Sequence, residues 1–240
     1  MTLSEANMLQ LSALTGWVRL CKFIFLLFDY IQEFILNKLS TKQIHSFLNS
    51  KNALVVHFSG CPKGSGVNDK PFPKDLFSVI NNEFDGEMAC SVIIPGDNPH
   101  NAIGEIGVIL GVDSSTLSAV FHEDAGSVIS TEGKRCFEQQ NIDLNVLDQS
   151  LTNRKSYNEW IVKHNGVLGV FIFPSSEIQI YRLQKIDGSD HPVIGPHYIK
   201  IDEVVKIFPE LEIYSFSNNQ ITILDKTTGQ FMPLTNKLYM

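Results

Sequence analysis

The chain has 240 residues, of which 43% are hydrophobic and 19% are charged, and these proportions are typical of a globular protein rather than a disordered one. Its formal net charge is −7, and because it has no cluster of lysines and arginines, we expect no nucleic-acid partner. The 4 cysteines form no CxxC pattern and are too sparse for a disulfide scaffold, so we expect reduced thiols and no metal site.

The first predicted element is an amphipathic helical segment over residues 1–39. Its most apolar part, residues 17–36, is interrupted by charged residues, and the longest uncharged stretch runs only from Phe23 to Phe28. Spanning a bilayer takes roughly 20 apolar residues, and no signal-peptide cleavage site follows the segment. On a helix, the charges gather on one narrow face. We expect the segment to pack on the main domain, and docking on a partner or on a membrane surface is the alternative.

The main domain is predicted over residues 40–185 and begins with a helix and a buried strand. The stretch "STKQIHSFLNS" (40–50) has the pattern of a short helix with Ser40 or Thr41 as its N-cap. The stretch "ALVVHF" (53–58) is short, apolar and β-branched, which is typical of a buried strand. The further predicted elements are a loop at 60–73, a helix at 73–82, strands at 89–95, 106–112 and 117–121, a helix at 143–151, and strands at 158–162, 166–174 and 178–184.

Residues 186–240 differ from the main domain, because Gly, Pro and His are frequent at their start. A short helix is predicted within 201–211, stopped by Pro209, and the Asn218–Asn219 pair between two alternating runs predicts a hairpin. These residues form either a small C-terminal subdomain or an edge hairpin of the main sheet. Regular βαβ alternation is missing from the chain. The sequence therefore predicts an α+β fold, with N-terminal helices followed by a largely antiparallel sheet.

Several polar residues stand next to the predicted strands. His57 and Ser59 end the first strand beside a glycine-rich turn, where a histidine can donate or accept a proton near neutral pH, or simply close a strand. Glu159 stands at the start of an otherwise apolar strand, so it is either paired or used there, or it points to water. Cys90 is a candidate nucleophile with a histidine as its base, although its apolar strand is more typical of a buried filler.

The order of these residues resembles the ADP-ribosyltransferase superfamily, particularly its bacterial toxin and effector branches. The stretch "VVHFS" (55–59) looks like the first-strand motif, and "SYNEWIV" (156–162) looks like the late strand. The resemblance implies a split, mostly antiparallel sheet that binds NAD. It also implies that His57 and Ser59 hold the dinucleotide, that Glu159 is catalytic, and that residues 150–157 form a target-recognition loop.

The middle motif of that family has two candidates here. Ser91 in "ACS" (89–91) and the "SST" stretch (114–116) both fit a position that shapes the nicotinamide pocket. The first strand carries no arginine, which excludes the Arg-Ser-Glu branch. Tyr157 stands where an ExE motif has its first glutamate, so transfer to arginine is in doubt.

The resemblance implies NAD as a substrate, no metal, and a macromolecular acceptor that is a protein. The sparse cysteines predict a cytoplasmic location, and the resemblance adds delivery by a bacterium into a target cell without a classical signal peptide. Peripheral membrane association through residues 17–36 is the alternative stated above for that segment. Two other functions stay open at this point. One is a non-enzymatic α+β interaction module that docks through its N-terminal helix, and the other is a cysteine hydrolase or deamidase centred on Cys90.

Overall fold

A computed structural model of the chain describes residues 39–58, 76, 79–83, 86–97, 105–123, 141–152, 157–173, 178–184 and 193–240. The predicted N-terminal helical segment lies outside these residues except for Leu39, and Ser59 and residues 153–156 also lie outside them. Of the predicted helix at 73–82, only residues 76 and 79–82 are described. No helix among the described residues is long and apolar enough to cross a membrane.

Within the described residues, three helices and eleven strands have defined bounds. The helices are α1 (Thr41–Lys51), α2 (Leu144–Thr152) and α3 (Ile201–Ile207). The strands are β1 (Leu54–Phe58), β2 (Glu87–Ile93), β3 (Ile106–Leu110), β4 (Leu117–Phe121), β5 (Glu159–Lys163), β6 (Val167–Ile172), β7 (Ile178–Gln184), β8 (Val193–Ile199), β9 (Ile213–Ser217), β10 (Gln220–Asp225) and β11 (Gln230–Pro233).

Helix α1 begins where its capping residues predict. The Ser40 hydroxyl accepts a hydrogen bond from the Gln43 backbone N–H at 3.4 Å, and the Gln43 side chain accepts one from the Ser40 N–H at 3.0 Å. This reciprocal pair satisfies two of the donors that a helix N-terminus leaves without partners. The helix ends at Asn52, which adopts a left-handed conformation with φ of 51°. Ile44 and Leu48 form its buried face.

Nine strands form one sheet in the order β11-β10-β9-β6-β3-β1-β2-β5-β4, and β7 pairs with β8 in a second sheet. The pairings are antiparallel except for the parallel pair of β6 and β9. The α+β class and the largely antiparallel sheet are therefore confirmed. Strands β9 and β10 are joined through Asn218 and Asn219, both with positive φ, as the predicted hairpin requires. This hairpin belongs to the main sheet and not to a separate C-terminal sheet.

Two strands were not predicted, and each has a physical reason. Strand β8 contains Gly195 and Pro196, which interrupt the alternation that marks a strand, but it pairs with β7 over seven residues. Proline has no N–H to donate to a neighbouring strand. Among the described strands, β8 pairs with β7 alone, so it is an edge strand, where a proline such as Pro196 is tolerated. Strand β11 is short and mostly exposed, so it shows little hydrophobic pattern of its own.

Strand β2 lies between β1 and β5, and each of them pairs with a different half of it. Its C-terminal half pairs with β1, with Ser91 opposite Val56. Its N-terminal half pairs with β5, with Cys90 opposite Trp160. The sheet is thus built from two groups of strands that share β2.

The two faces of the sheet bury different cores. The helical face packs against the three helices, and its buried residues include Val55, Cys90, Val108 and Trp160. The aromatic face buries a smaller cluster that includes Leu54, Val56, Phe58, Ile109, Phe171, Tyr214 and Phe216. The rings of Phe171 and Phe173 lie edge to face, with their centroids 4.7 Å apart. Because side chains alternate along a strand, the register decides which face each polar residue joins.

Gly107 on β3 lies where β3 closely approaches β1. A Cβ at this position would collide with the Val56 side chain and would lie 2.9 Å from the backbone oxygen of His57. We expect Gly107→Ala to lower the free energy of unfolding by about 1–3 kcal/mol, because the strands must separate to admit the methyl group. Urea denaturation measures the loss. A loss no larger than that of Gly111→Ala, whose Cβ would lie 3.1 Å from the Asn165 oxygen, would contradict this.

Candidate functional site

His57 lies near the end of β1 with its side chain partly exposed. Its Nδ1 atom is 2.8 Å from the backbone oxygen of Ala89 on β2. A carbonyl oxygen only accepts hydrogen bonds, so Nδ1 carries the proton in this contact. Ser59, the other residue predicted at this end of the strand, lies outside the described residues.

Ser91 and Glu159 lie on the aromatic face of the sheet. Ser91 is buried on β2, and Glu159 is partly exposed at the start of β5. The antiparallel ladder pairs Ala89 with Ile161 and Cys90 with Trp160. The ladder ends there, one residue before Ser91 and Glu159, and Glu159 pairs with Phe121 on β4. Ser91 and Glu159 therefore lie on the same face of neighbouring strands, because alternate residues share a face.

His57 joins the site from the other side of β2. It follows Val56, which belongs to the aromatic face, so the Cβ of His57 starts on the helical face. Strands β1 and β5 are separated by β2, and two strand spacings amount to about 10 Å. The two residues are thus neighbours of the same strand but leave the sheet in different directions. Their roles remain predictions, because the two side chains start on opposite faces of the sheet.

Ala89 is an exposed position on β2, which has a neighbouring strand on each side. Its side chain is exposed, although Cys90 and Ser91 beside it and its cross-strand partner Ile161 are all buried. The His57 ring bonds to the Ala89 carbonyl, and Ser91 and Glu159 lie on the face that Ala89 shares. We call the exposed surface at Ala89 the Ala89 opening.

Asn158 immediately precedes β5, next to the end of the ladder between β5 and β2. Its side-chain oxygen accepts a hydrogen bond from the Val92 N–H at 2.6 Å, and its side-chain nitrogen donates to the Val92 oxygen at 2.8 Å. The amide thus replaces the backbone pairing that β5 no longer supplies. The same nitrogen donates to the backbone oxygen of Ser150 on α2 at 3.1 Å. Asn158 is 1% exposed, so these bonds are made away from water.

Trp160 repeats this connection two residues later. Its ring N–H donates to the Ser150 hydroxyl at 3.0 Å, and that hydroxyl donates to the Leu147 oxygen at 2.7 Å. Trp160 is fully buried on the helical face. The residues before and after Glu159 are therefore both tied to α2.

Cys90 is placed unfavourably for a nucleophile. Its side chain is buried on the helical face, and its sulfur lies 3.8 Å from the Met88 oxygen. Burial raises the pKa of the Cys90 thiol far above its ordinary value, and the nearby Glu159 carboxylate raises it further. The thiol stays protonated near neutral pH, whereas nucleophilic cysteines react as thiolates in partly exposed, electropositive surroundings.

The alternative middle motif at 114–116 forms a turn between β3 and β4. A carboxylate oxygen of Asp113 accepts from the Ser115 N–H at 2.6 Å and from the Thr116 N–H at 3.0 Å. Burial tends to raise the pKa of Asp113, but these bonds from Ser115 and Thr116 outweigh it and hold the pKa below its ordinary value. Ser114 contacts Thr41 at the start of α1. Ser114, Ser115 and Thr116 thus stabilise the turn. Ser91, the other candidate for the middle motif, lies next to the Ala89 opening.

The described residues contain no group of three or more His, Cys, Asp and Glu side chains that could hold a metal ion. His122 and Glu123 come within 4.0 Å of each other, but both are largely exposed and adjacent in sequence. The predicted site residues that the structure describes are His57, Ser91 and Glu159.

The positions of Asn158, Ser150 and Ala89 in the candidate site were not predicted from the sequence. Asn158 stands directly before the strand residue Glu159, and a polar residue that precedes a buried tryptophan by two is on the same face as that tryptophan. This spacing is the one signal that marks Asn158 as buried. Ser150 and Ala89 carry no comparable signal, because their importance depends on neighbours far away in sequence.

Comparison with known proteins leaves the site to be interpreted from its own chemistry. The chain matches no protein family, no curated protein and no solved structure. The candidate site accordingly rests on the position of His57, Ser91 and Glu159 around β2, and on the Ala89 opening between them.

Proposed function

We propose that the protein is an NAD-dependent ADP-ribosyltransferase that transfers ADP-ribose to a macromolecular acceptor. The observation that supports this function is the arrangement around β2. The sheet is largely antiparallel and its two groups of strands share β2, with His57 on one flanking strand and Glu159 on the other. A largely antiparallel sheet is what the resemblance to ADP-ribosyltransferases implies, and the roles of His57 and Glu159 are part of this proposal.

The reaction breaks the bond between the ribose C1′ atom of NAD and the nicotinamide nitrogen. The bonding electron pair leaves with nicotinamide, which becomes neutral, and positive charge develops on the ribose. A nucleophilic atom of the acceptor then bonds to C1′ and releases its proton to solvent. A carboxylate beside the ribose stabilises the developing charge, as carboxylates do in glycoside hydrolysis. Glu159 supplies that carboxylate in this proposal.

His57 and Ser91 hold the dinucleotide. His57, whose Nδ1 donates to the Ala89 oxygen, is proposed to contact a ribose hydroxyl of NAD. Ser91 shares a face with Glu159 and is placed to orient the carboxylate or the nicotinamide amide.

The acceptor is proposed to be a protein, and this protein is proposed to act as a bacterial toxin or effector. Both follow from the resemblance alone. The segment 150–157, which precedes Glu159, is proposed to contact the acceptor. Its first residue, Ser150, is bonded to Asn158 and Trp160, so the segment begins next to β5, which supports this proposal.

Binding of NAD tests this function through a thermal shift. At 100 times its Kd, a ligand adds about 2.7 kcal/mol to the free energy of unfolding. We expect NAD to raise the Tm of the wild-type protein. We expect Ala89→Phe to abolish this shift, because the ring covers the Ala89 opening, while the exposed position keeps the substitution compatible with folding.

Ser217→Phe is the matched control, because it adds the same ring at an exposed position of β9, four strands away in the sheet. This variant should keep the NAD shift. If millimolar NAD leaves the Tm of the wild-type protein unchanged, the proposed function is wrong and an interaction module is favoured instead. If Ala89→Phe and Ser217→Phe keep equal shifts, NAD binds elsewhere on the protein.

A further inference from the structure

Glu159 lies between two residues whose side chains are fixed by buried hydrogen bonds. On one side, the Asn158 amide bonds to both backbone groups of Val92 and to the Ser150 oxygen. On the other side, the Trp160 ring N–H bonds to the Ser150 hydroxyl. Both partners are held in the core, with Asn158 and Ser150 each 1% exposed and Trp160 fully buried.

These bonds help to set the direction of Glu159. Successive side chains of a strand leave on opposite faces, so fixing residues 158 and 160 towards α2 sends residue 159 to the aromatic face. That face carries Ser91 and the Ala89 opening. On the side of β4, Glu159 pairs with Phe121. On the side of β2, the backbone ladder extends only to the pair of Cys90 and Trp160, so the Asn158 amide supplies the contact with Val92.

The same bonds join three separate elements. Val92 is on β2, Ser150 is on α2, and Asn158 immediately precedes β5. An amide is suited to this task because it both donates and accepts, and neither aspartate nor leucine reproduces that pattern. A partly satisfied buried network is unstable, so each bond depends on the others.

We propose that Asn158, supported by Ser150, is the positioning residue that aims Glu159 at the ribose of NAD. This inference rests on the proposed function and names a residue that touches no substrate. Asn158 acts by fixing the backbone of its neighbour, so it governs the rate of bond cleavage and not the affinity for NAD.

The test measures nicotinamide release from NAD with water as the acceptor. We expect Asn158→Ala to lower kcat about 100-fold, the size of effect that a small misplacement of a reacting group produces. KM for NAD and the NAD-induced thermal shift should stay close to wild type. Ser150→Ala, a smaller change, should lower kcat about 10-fold, since it removes the hydroxyl that holds Trp160 but keeps the backbone oxygen that holds Asn158.

Asn49→Ala is the matched control. The Asn49 amide also bonds to a distant backbone, donating to the Tyr239 oxygen at 2.7 Å and accepting from its N–H at 3.3 Å. Its loss should lower the Tm without changing kcat. The inference is overturned if Glu159→Gln abolishes turnover while Asn158→Ala and Ser150→Ala keep the wild-type kcat. It is also overturned if Asn49→Ala lowers kcat as much as they do. Absence of NAD binding and turnover in the wild-type protein would overturn the proposed function itself.

Discussion

Replacing Glu159 with glutamine is expected to reduce NAD turnover about 100- to 1000-fold, the range found when one preorganised charge-stabilising group is removed. Glutamine keeps the shape of the side chain but loses the negative charge that opposes the charge on the ribose. Because Glu159 is partly exposed, the substitution should leave folding intact. The NAD-induced thermal shift should persist, since the carboxylate acts on the transition state more than on bound NAD.

The measurement compares kcat for nicotinamide release in Glu159→Gln and in Glu212→Gln. Glu212 is exposed and immediately precedes β9, so the control makes the same chemical change far from β2. Equal turnover in both variants would remove Glu159 from the mechanism. Loss of the thermal shift together with turnover would instead make Glu159 a residue that binds NAD in its ground state.

The elements that could be predicted from the sequence are those whose signals are local. The Ser40–Gln43 capping box and the Asn218–Asn219 turn each act within a few residues, so the helix and the hairpin appear where expected. Strand β8 could not be predicted, because it is stabilised by pairing with β7 and not by its own pattern. The position of β9 beside β6 likewise depends on contacts between distant parts of the chain.

In the candidate site, too, the residues with a local signal could be predicted and those that depend on distant contacts could not. His57 and Glu159 stand out in the sequence because a titratable residue in an apolar strand is unusual. Asn158 does not stand out, because its partner Val92 is 66 residues away. The sequence also predicts strands without their register, and register alone decides that Glu159 joins Ser91 while His57 starts on the opposite face.

Tyr239, near the C-terminal end, is another residue whose importance only the structure reveals. Its hydroxyl accepts a hydrogen bond from the Val55 N–H on β1 at 2.9 Å. Its backbone is bonded to Asn49 on α1, and its ring lies 5.8 Å from the ring of His45. Tyr239 is 3% exposed and belongs to the core of the helical face. It therefore joins the last residues of the chain to the central strand and to α1.

We expect Tyr239→Ala to lower the free energy of unfolding by about 3–5 kcal/mol, as for other large buried side chains. Tyr239→Phe keeps the ring but leaves the buried Val55 N–H without a partner, which should cost about 1–3 kcal/mol. Urea denaturation near neutral pH measures both losses. Tyr198→Phe is the control, because Tyr198 is 54% exposed and its hydroxyl should contribute little.

The contribution of Tyr239 should also depend on pH in the alkaline range. Burial raises the pKa of the Tyr239 hydroxyl above its ordinary value, and only the Val55 hydrogen bond opposes this. An unfolded tyrosine ionises near pH 10. Because the folded pKa is the higher one, the stabilisation is fully present below about pH 10 and is lost as the pH rises towards the folded pKa. The stability difference between wild type and Tyr239→Phe should therefore stay constant up to about pH 10 and shrink as the pH rises further. A difference that stays constant above about pH 10 would contradict this prediction.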